Sequence, residues 1–424
     1  MTYQELLAYL YGLGRFGMKP GTERISRLLD SLNNPQDTFT TVHIAGTNGK
    51  GSTASFLASV MKRAGYRTGL FTSPHLSRFT ERIRIDGDEL TDDAVLACAE
   101  RVMGAAPKGT TFFELVTGMA ILAFAERGVE LAVLEAGMGG RFDATSAVPG
   151  AVTVITTVGL DHCQYLGSSL GEIAAEKAGI ITPGRPVVTA VSQQEALSAI
   201  TMAAAGRGSR CCRFGGEFVA EWDGALLAYR GLGVSLAGIS PGIRGRYQAA
   251  NAACALAASE LLAEAGFPAD ASAMRAGIET ASWPGRMELM GNAPRILLDG
   301  AHNGDGALAL AAELAEISRG RLCLVAGVMG DKDADAILQP LVPLADRVYA
   351  VEPRLERSMP ATELAGLCRR LGVPVVAAGG VTEGLTQACA EAGPDGLVVV
   401  CGSLFVVGEA RSHLLQQSYE PVRG

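Results

Sequence analysis

Apolar runs of strand length alternate with helical patterns through almost the whole chain. Parallel strands need a crossover connection, which is usually a helix, so this alternation predicts an α/β fold with a mainly parallel sheet. Strands are predicted at Thr41–Ala45, Leu131–Leu134, Val152–Thr157, Val187–Ala190, Arg295–Leu298, Leu322–Ala326, Val348–Val351, Val375–Ala378 and Leu397–Val400. Helices are predicted at Lys50–Ala64, Leu115–Arg127, Leu170–Ile180 and Arg246–Ala265.

A cluster of residues that break helices and strands marks a boundary in this chain of 424 residues, which is longer than one typical domain. The cluster is Trp283-Pro284-Gly285 followed by Gly291-Asn292-Ala293-Pro294, between a helical pattern and a new strand. We expect a first domain at 1–284, a linker at 285–294 and a smaller doubly wound, Rossmann-like domain at 295–424. The Gly-rich segment Arg210–Leu236 is predicted to be a small antiparallel insertion in the first domain.

Composition disfavours several classes of protein. Hydrophobic residues make up 48% of the chain and its net charge is −8, which argues against a disordered chain and against a nucleic-acid or polybasic membrane partner. No apolar run approaches the ~18 residues of a membrane-spanning helix, and the first ten residues lack the basic start of a signal peptide. The nine scattered cysteines are typical of reduced thiols in a cytoplasmic protein.

The strongest local signal is a Gly-rich turn, Gly46-x-x-Gly49-Lys50-Gly51-Ser52, between a predicted strand and a predicted helix. Glycines let backbone N–H groups surround phosphate oxygens, and a helix N-terminus adds positive potential. Lys50 can reach the β- and γ-phosphates, and Ser52 can bind Mg²⁺. The turn is one residue shorter than the ordinary phosphate-binding loop, with Gly51 between the lysine and the serine. A turn without a ligand is the alternative, but the flanking strand and helix favour a phosphate site.

Two further strand ends carry candidate metal ligands. Glu135 ends a run of four apolar residues and precedes a glycine-rich stretch, which favours metal binding over a surface role. His162 follows the strand that begins at Val152. From the residues alone, His162 is equally consistent with a buried core histidine and with a metal–phosphate cluster.

Eight motifs, which include the 46–52 turn, occur in order along the chain. The other seven are Thr72-Ser73-Pro74-His75-Leu76, Glu81-Arg82-Ile83, Phe112-Phe113-Glu114, Glu135-Ala-Gly-x-Gly-Gly-Arg141-x-Asp143-Ala144-Thr145, Asp161-His162, Glu176-Lys177-Ala178-Gly179 and Asp299-Gly300-Ala301-His302-Asn303. Together they resemble the folylpolyglutamate synthase/dihydrofolate synthase family, a branch of the Mur-type ATP-dependent amide ligases. The resemblance extends from Gly46 to Gly402-Ser403-Leu404. It departs at Ser146, where the family often has Asn, and this leaves the local hydrogen bonding open.

The resemblance implies a reaction and its partners. A carboxylate of dihydropteroate or of a reduced folate attacks the γ-phosphoryl group of ATP, and the amine of L-glutamate attacks the resulting acyl phosphate. The implied products are the amide, ADP and phosphate. The implied domains are a Mur central-type domain and a Mur C-terminal-type domain, in an enzyme that acts as a monomer and is bifunctional. A monofunctional folylpolyglutamate synthase is the alternative.

The resemblance also implies roles for individual residues. The implied ATP contacts are Asn48, Gly49, Lys50, Gly51, Ser52, Asn251, Arg286 and Asp299. Two Mg²⁺ ions are implied, with Ser52, Ser73, Glu135, His162 and a carbamylated Lys177 as the metal-site residues. Lys50, Lys177 and His302 are the implied catalytic residues. The pterin-containing substrate is implied to contact Arg82, Phe113, Glu114 and Asp143.

Three other functions compete with this one. A Mur-type ligase for cell-wall precursors would share the phosphate-binding loop and the two-domain plan. A nucleotide-dependent switch would need a guanine-reading Asn-Lys-x-Asp motif, and Asp331-Lys332-Asp333 lacks the asparagine. A non-catalytic homologue would not need the polar positions of the family, which are all filled here.

Overall fold

The computed structural model describes residues 1–14, 21–317 and 320–421. Their strands are β1 (Thr40–Ala45), β2 (Thr68–Phe71), β3 (Ile83–Ile85), β4 (Asp88–Glu89), β5 (Leu131–Glu135), β6 (Val152–Ile155), β7 (Val187–Thr189), β8 (Cys211–Arg213), β9 (Val219–Asp223), β10 (Leu226–Arg230), β11 (Ser235–Ile239), β12 (Glu288–Met290), β13 (Arg295–Leu298), β14 (Leu322–Ala326), β15 (Arg347–Val351), β16 (Val375–Gly379) and β17 (Leu397–Cys401).

Their α-helices are α1 (Tyr3–Gly14), α2 (Glu23–Ser31), α3 (Lys50–Arg63), α4 (Asp92–Ala105), α5 (Phe112–Glu126), α6 (Cys163–Leu166), α7 (Leu170–Ala178), α8 (Gln194–Ala205), α9 (Gln248–Leu262), α10 (Ala271–Thr280), α11 (Gly304–Glu316), α12 (Ala334–Leu341), α13 (Ala361–Arg369), α14 (Val381–Ala392) and α15 (Leu404–Leu414). Among the residues described, no helix is both long and apolar enough to cross a bilayer.

The first sheet has the strand order β4-β3-β2-β5-β1-β6-β7-β8, and it is parallel from β2 through β8. Successive side chains of a strand point to opposite faces. On β5, Val133 packs in the cluster that contains α3 and α9, whereas Ala132 and Leu134 pack with α1, α2, α4 and α5. Helices therefore cover both faces of this sheet, and the apolar runs without polar alternation follow from that burial.

The second sheet has the order β12-β13-β17-β14-β15-β16 and is parallel except for the edge strand β12. Two apolar clusters cover its faces, one containing Leu324 and the other Val325. The predicted α/β class with a mainly parallel sheet and a second, smaller α/β unit is confirmed. The domain limits stay a prediction, and β12 lies within the ten residues assigned to the linker.

The Gly-rich segment after α8 contributes to two sheets. Strands β9, β10 and β11 form a three-stranded antiparallel sheet, as predicted for this segment, although it continues to Ile239. Strand β8 instead pairs in parallel with β7 at the edge of the first sheet. Leu227 and Tyr229 of the small sheet are buried in the cluster that also contains α9.

Replacing Gly277 should destabilise the protein, because α10 touches α3 there. A Cβ atom on Gly277 would lie 2.4 Å from the Cα of Val60, and backbone cannot yield as a flexible side chain can. We expect Gly277→Ala to lower the free energy of unfolding by about 1–3 kcal/mol in urea titrations. The matched control is Gly366→Ala on α13, where no atom lies within 4 Å and alanine should raise stability by about 0.5–1 kcal/mol. Equal signs for the two variants would contradict this packing.

Candidate active site

Neighbouring side chains pack against the turn from β1 into α3 at two of its glycines. A Cβ on Gly46 would lie 1.9 Å from Thr156 Oγ1, and one on Gly49 would lie 2.2 Å from Asn251 Oδ1. Both glycines also have positive φ, at 147° and 87°. Only glycine meets both conditions, so the backbone can turn tightly at these two positions. The N–H groups of Thr47 and Asn48 within this loop donate to the carbonyl and the hydroxyl of Thr157.

Two lysines converge on one carbonyl of this loop. Lys50 Nζ donates to the Gly46 carbonyl at 3.1 Å and to that of Thr47 at 3.2 Å. Lys177 Nζ, from α7, donates to the same Gly46 carbonyl at 2.9 Å. Burial, with the nearby Lys50 charge, lowers the pKa of Lys177 to about 7. The lowered pKa favours the neutral amine more than in an exposed lysine.

A cavity of about 400 Å³ opens over the loop, between the two sheets. Every residue predicted to contact ATP or metal, or to act in catalysis, lines it: Asn48, Gly49, Lys50, Gly51, Ser52, Ser73, Glu135, His162, Lys177, Asn251, Arg286, Asp299 and His302. The residues from the first sheet follow the carboxyl ends of parallel strands, where α/β proteins bind ligands. The structure brings these residues together, and their individual roles stay predictions.

Glu135 lies at the buried end of β5. Its Oε2 atom accepts a hydrogen bond of 3.1 Å from the backbone N–H of Ser73, so the two predicted ligands of one metal are adjacent. Burial raises the pKa of Glu135, and the Lys50 charge opposes that shift. A cation bound beside this carboxylate would offset the cost of burying its charge.

His162 and Asp161 belong to the first unit and take part in a polar contact with the second unit. His162 has a left-handed backbone (φ 53°), and its N–H donates to Asp161 Oδ1 at 2.9 Å. Lys332, from the second unit, donates to the same oxygen at 2.5 Å. Burial opposes ionisation of Asp161, but the Lys332 hydrogen bond and the nearby charges hold its pKa at about 2. His162 is therefore a half-exposed residue of the cavity and not a core histidine.

The second unit contributes His302 and Asp299. His302 Nδ1 lies 2.8 Å from the Gly300 carbonyl, which can only accept, so Nδ1 carries the proton and Nε2 keeps a lone pair. Burial lowers the pKa of His302 to about 4. The buried carboxylate of Asp299 accepts from the Tyr247 hydroxyl at 3.0 Å and from two backbone N–H groups. Both groups are thus fixed before a ligand binds.

Helix α9 contacts the loop between β1 and α3 directly. Asn251 Nδ2 donates to Gln248 Oε1 at 2.8 Å, while its oxygen lies against Gly49. Gln248 Nε2 lies 3.4 Å from Ser52 Oγ. Arg286 lies in the predicted linker. It donates to the Gly285 carbonyl at 3.0 Å and packs against Gly300.

The donor set fits Mg²⁺ that arrives with nucleotide. Ser52, Ser73 and Glu135 offer the hard oxygen ligands that this ion prefers. Within residues 1–14, 21–317 and 320–421, no group of three His, Cys, Asp or Glu side chains could hold a metal by itself. Mg²⁺ is usually held by one or two carboxylates with phosphates and water, which agrees with this arrangement. Lys177 could join such a site only after its amine is converted into an anion.

A second cavity, of about 420 Å³, adjoins the first. It contains all four residues predicted to contact the pterin-containing substrate: Arg82, Phe113, Glu114 and Asp143. Both cavities are lined by Ser73, Pro74, Gly137, Met138, Gly139 and Leu166. The loop at 137–140 is thus a shared wall, with Gly137 against the Phe113 ring and Gly140 against the Lys177 carbonyl.

Two acids of the second cavity hold its walls in place. Glu114 accepts from the backbone N–H and hydroxyl of Thr111, each at 2.8 Å, and pairs with Arg24 at 3.0 Å. Asp143 accepts from the Met138 N–H at 3.0 Å and from the Thr145 hydroxyl at 2.7 Å. These contacts begin α5 and fix the 137–140 loop, whatever contacts either acid makes with a substrate.

Several residues of the site were not predicted. Asp161 was part of a motif but had no assigned role, and Lys332 was considered only for a guanine motif. Asn303 exchanges two hydrogen bonds with Asn48, at 3.0 and 3.1 Å, across 255 residues of sequence. The position of Asp161 after a predicted strand could have identified it as a site residue. No feature of the sequence around Lys332 predicts that it belongs to the site.

The two α/β units share the cavity over the β1–α3 loop, and both match domains of the Mur ligase class. Residues 44–259 match the Mur ligase middle domain, and residues 285–404 match the Mur ligase, glutamate ligase domain. The Bacillus subtilis dihydrofolate synthase/folylpolyglutamate synthase is 35% identical over 85% of this chain and 88% of its own length. The chain belongs to the dihydrofolate synthase/folylpolyglutamate synthase family, as the motifs predicted.

Other relatives agree with this assignment. A probable bifunctional folylpolyglutamate synthase/dihydropteroate synthase of Halobacterium salinarum is 39% identical over 97% of this chain, which spans about half (52%) of that protein. The structure of E. coli FolC in complex with DHPP and ADP has a TM-score of 0.91, with 31% identity and 98% coverage of both chains. A Yersinia pestis bifunctional enzyme complexed with AMPPNP and Mn ion has a TM-score of 0.89, with 30% identity and 98% coverage of both chains.

Proposed function

We propose that this protein is an ADP-forming ligase that uses ATP to join L-glutamate to a carboxylate of a pteroate or folate. We propose further that it is bifunctional and accepts both dihydropteroate and reduced folates. The name of the Bacillus relative, which covers both activities, and the ADP and DHPP held by E. coli FolC support this proposal.

The observation that carries the proposal is the wall shared by the two cavities. One cavity contains a phosphate-binding loop with Lys50, and the other is apolar, with aromatic rings and one buried arginine. A long, flat substrate in the second cavity could place a carboxylate beside the 137–139 segment, where the first cavity begins. An acyl phosphate requires this meeting of a carboxylate with a terminal phosphoryl group.

The residues of the chain mainly position the reactants and neutralise charge. Two anions must approach each other, and the Lys50 ammonium lies where it offsets their repulsion. The second unit contacts the first beside the cavity through Asp161–Lys332 and Asn48–Asn303. We propose that this cover limits the access of water to a hydrolysable intermediate. Bound Mg²⁺, held by Ser52, Ser73 and Glu135 with His162 and a carbamylated Lys177 nearby, would supply Lewis-acid charge stabilisation.

The direct test offers purified protein ATP, Mg²⁺ and labelled glutamate with dihydropteroate or tetrahydrofolate in separate assays. We expect label in both products, together with ADP. A UDP-linked cell-wall precursor is the control substrate for a different Mur-type activity. Label only on that precursor, or ADP release without an acceptor, would overturn the proposal. Label on tetrahydrofolate alone would remove the bifunctional part.

We propose that the lone pair of His302 Nε2 accepts the proton of the attacking amine. Its pKa of about 4 keeps the ring neutral at assay pH, so the lone pair is available. We expect His302→Ala to lower kcat by about 100-fold, with the KM for ATP little changed. The control is His413→Ala, an exposed site on α15. Unchanged kcat would eliminate the base role, and a raised KM for ATP alone would indicate nucleotide orientation instead.

We also propose that the protein acts as a monomer in the cytoplasm. The monomer follows from the family resemblance. The nine cysteines are free thiols and six of them are buried, which suits a reducing compartment. Size-exclusion chromatography with light scattering tests the monomer.

A further inference from the structure

The chain after α15 folds back onto the first unit. Residues 415–421 are here called the C-terminal tail. The chain reverses direction in this tail at Gln416, which has a φ of 53°. The backbone N–H of Glu420 donates to the Ser77 carbonyl at 2.9 Å. Its carboxylate accepts from the Phe79 N–H at 2.8 Å and from the Tyr3 hydroxyl at 3.1 Å. Glu420 is only 8% exposed, so the tail is anchored and not merely adjacent.

The anchored tail fixes the protonation pattern of His75. The Glu420 carbonyl lies 2.7 Å from His75 Nε2, and a carbonyl can only accept. Nε2 therefore carries the proton, and Nδ1 of the neutral ring is an acceptor. Nδ1 takes a hydrogen bond of 2.9 Å from Arg82 Nε. His75 is only 3% exposed, so these two hydrogen bonds are shielded from solvent.

Arg82 is the cation of the second cavity. Its side chain is 2% exposed, and its guanidinium lies over the rings of Phe112 and Phe79 at 5.4 and 5.7 Å. A rotation of this long side chain would move the positive charge within the cavity. The hydrogen bond at Nε opposes such a rotation, so the guanidinium depends on His75 for its orientation.

We propose that Glu420, acting through its carbonyl and His75, is a positioning residue that orients Arg82 in the substrate cavity. The contacts form one chain from the Glu420 carbonyl through Nε2–H and Nδ1 of His75 to Nε–H of Arg82. The tail does not line the pocket itself, but it acts through His75 on the arginine of a pocket whose walls include α5 and the 137–140 loop. This inference rests on the proposed function only for the identity of the pocket's ligand.

The test compares a chain that ends at Gln416 with a matched control that ends at Pro421 and keeps every contact named above. We expect the shorter chain to raise the KM for tetrahydrofolate about tenfold, with the KM for ATP within twofold of the control. His75→Leu in the full chain should have a similar effect. Because both changes break the same chain of contacts, their combination should be no worse than the larger single effect. Multiplied effects, or an unchanged KM in the shorter chain, would overturn the proposal.

Histidine-selective ¹⁵N NMR supplies a readout that needs no turnover. The chain has five histidines, and His75→Leu assigns the signal of His75. In the full chain we expect the Nε2–H tautomer, and in the shorter chain a mixture of tautomers. A fixed Nε2–H tautomer in both would refute the role of the tail. If the full chain shows the tautomer but no folate activity, the proposed function fails and the inference stands. Should the shorter chain not fold, His75→Leu against His75→Asn decides, because asparagine keeps an acceptor near the Nδ1 position and should preserve more of the tetrahydrofolate affinity.

Discussion

Lys50→Ala should abolish most of the ligase activity while leaving the fold intact. Lys50 is the first residue of α3, and its ammonium is held over the phosphate-binding loop by the carbonyls of Gly46 and Thr47. It is positioned before the triphosphate arrives, so no rearrangement is required when charge develops on the transferred phosphoryl group. Loss of one such preorganised group typically costs about 100- to 1,000-fold in kcat, and we expect a loss of at least that size.

Lys62→Ala is the matched control for this variant. Lys62 lies near the other end of the same helix, is exposed, and donates to the Asp86 carbonyl on the surface. It should retain normal kcat and KM, which separates the position of the cation from the net charge of the protein. Near-normal glutamate incorporation by Lys50→Ala would contradict the assignment of the loop as the triphosphate site.

Lys177→Ala should lower kcat almost as much as Lys50→Ala does. Short carboxylic acids should restore part of the lost activity. The Lys177 amine is buried beside the Lys50 ammonium, which favours its neutral form, and a neutral amine can react with carbon dioxide. The amine nitrogen bonds to the carbon of carbon dioxide and loses a proton to solvent. The product is a carbamate anion with two oxygens of the kind that Mg²⁺ prefers. We expect about a 100-fold loss of kcat for the alanine variant, and partial recovery when formate, acetate or propionate supplies the missing oxygens.

The same acids added to Lys50→Ala are the control, because a carboxylate cannot replace a cation. Rescue of both variants would indicate a general salt effect. NMR of active enzyme prepared with ¹³C-bicarbonate provides a direct check of the modification. An unmodified amine in fully active enzyme would remove carbamate chemistry from the proposal and leave Lys177 as a loop-positioning residue.

The sequence predicted the features whose determinants are close together along the chain. Buried strands are continuous apolar runs, and the 46–52 loop lies between one of them and its helix, so fold class and loop could both be predicted from local pattern. Glu135 could be predicted for the same reason, since an acid at the end of a strand lies at the carboxyl edge of the sheet. The two cavities also contain the residues that the family motifs predicted as site residues.

The rest of the site depends on contacts between distant parts of the chain. Lys332 is 171 residues from Asp161, and Glu420 is 345 residues from His75. In the sequence, each is an ordinary polar residue in a polar setting, and only the packing of the second unit onto the first gives it a partner. Glu114 shows the converse case, because a motif nominated it for substrate contact while the structure engages its carboxylate in helix capping and an ion pair.

Under the proposed function, the 137–140 loop lies between the two reacting groups. Gly137 and Gly139 line both cavities and add no side chain to the wall between them, whereas Met138 does. Reacting atoms need to come within about 3–3.5 Å of each other. Even one methyl group on this partition would project into the ring of Phe113 or towards Leu166. Glycine at 137 and 139 keeps this wall narrow, which under the proposed function would let two separately bound molecules reach each other at its edge.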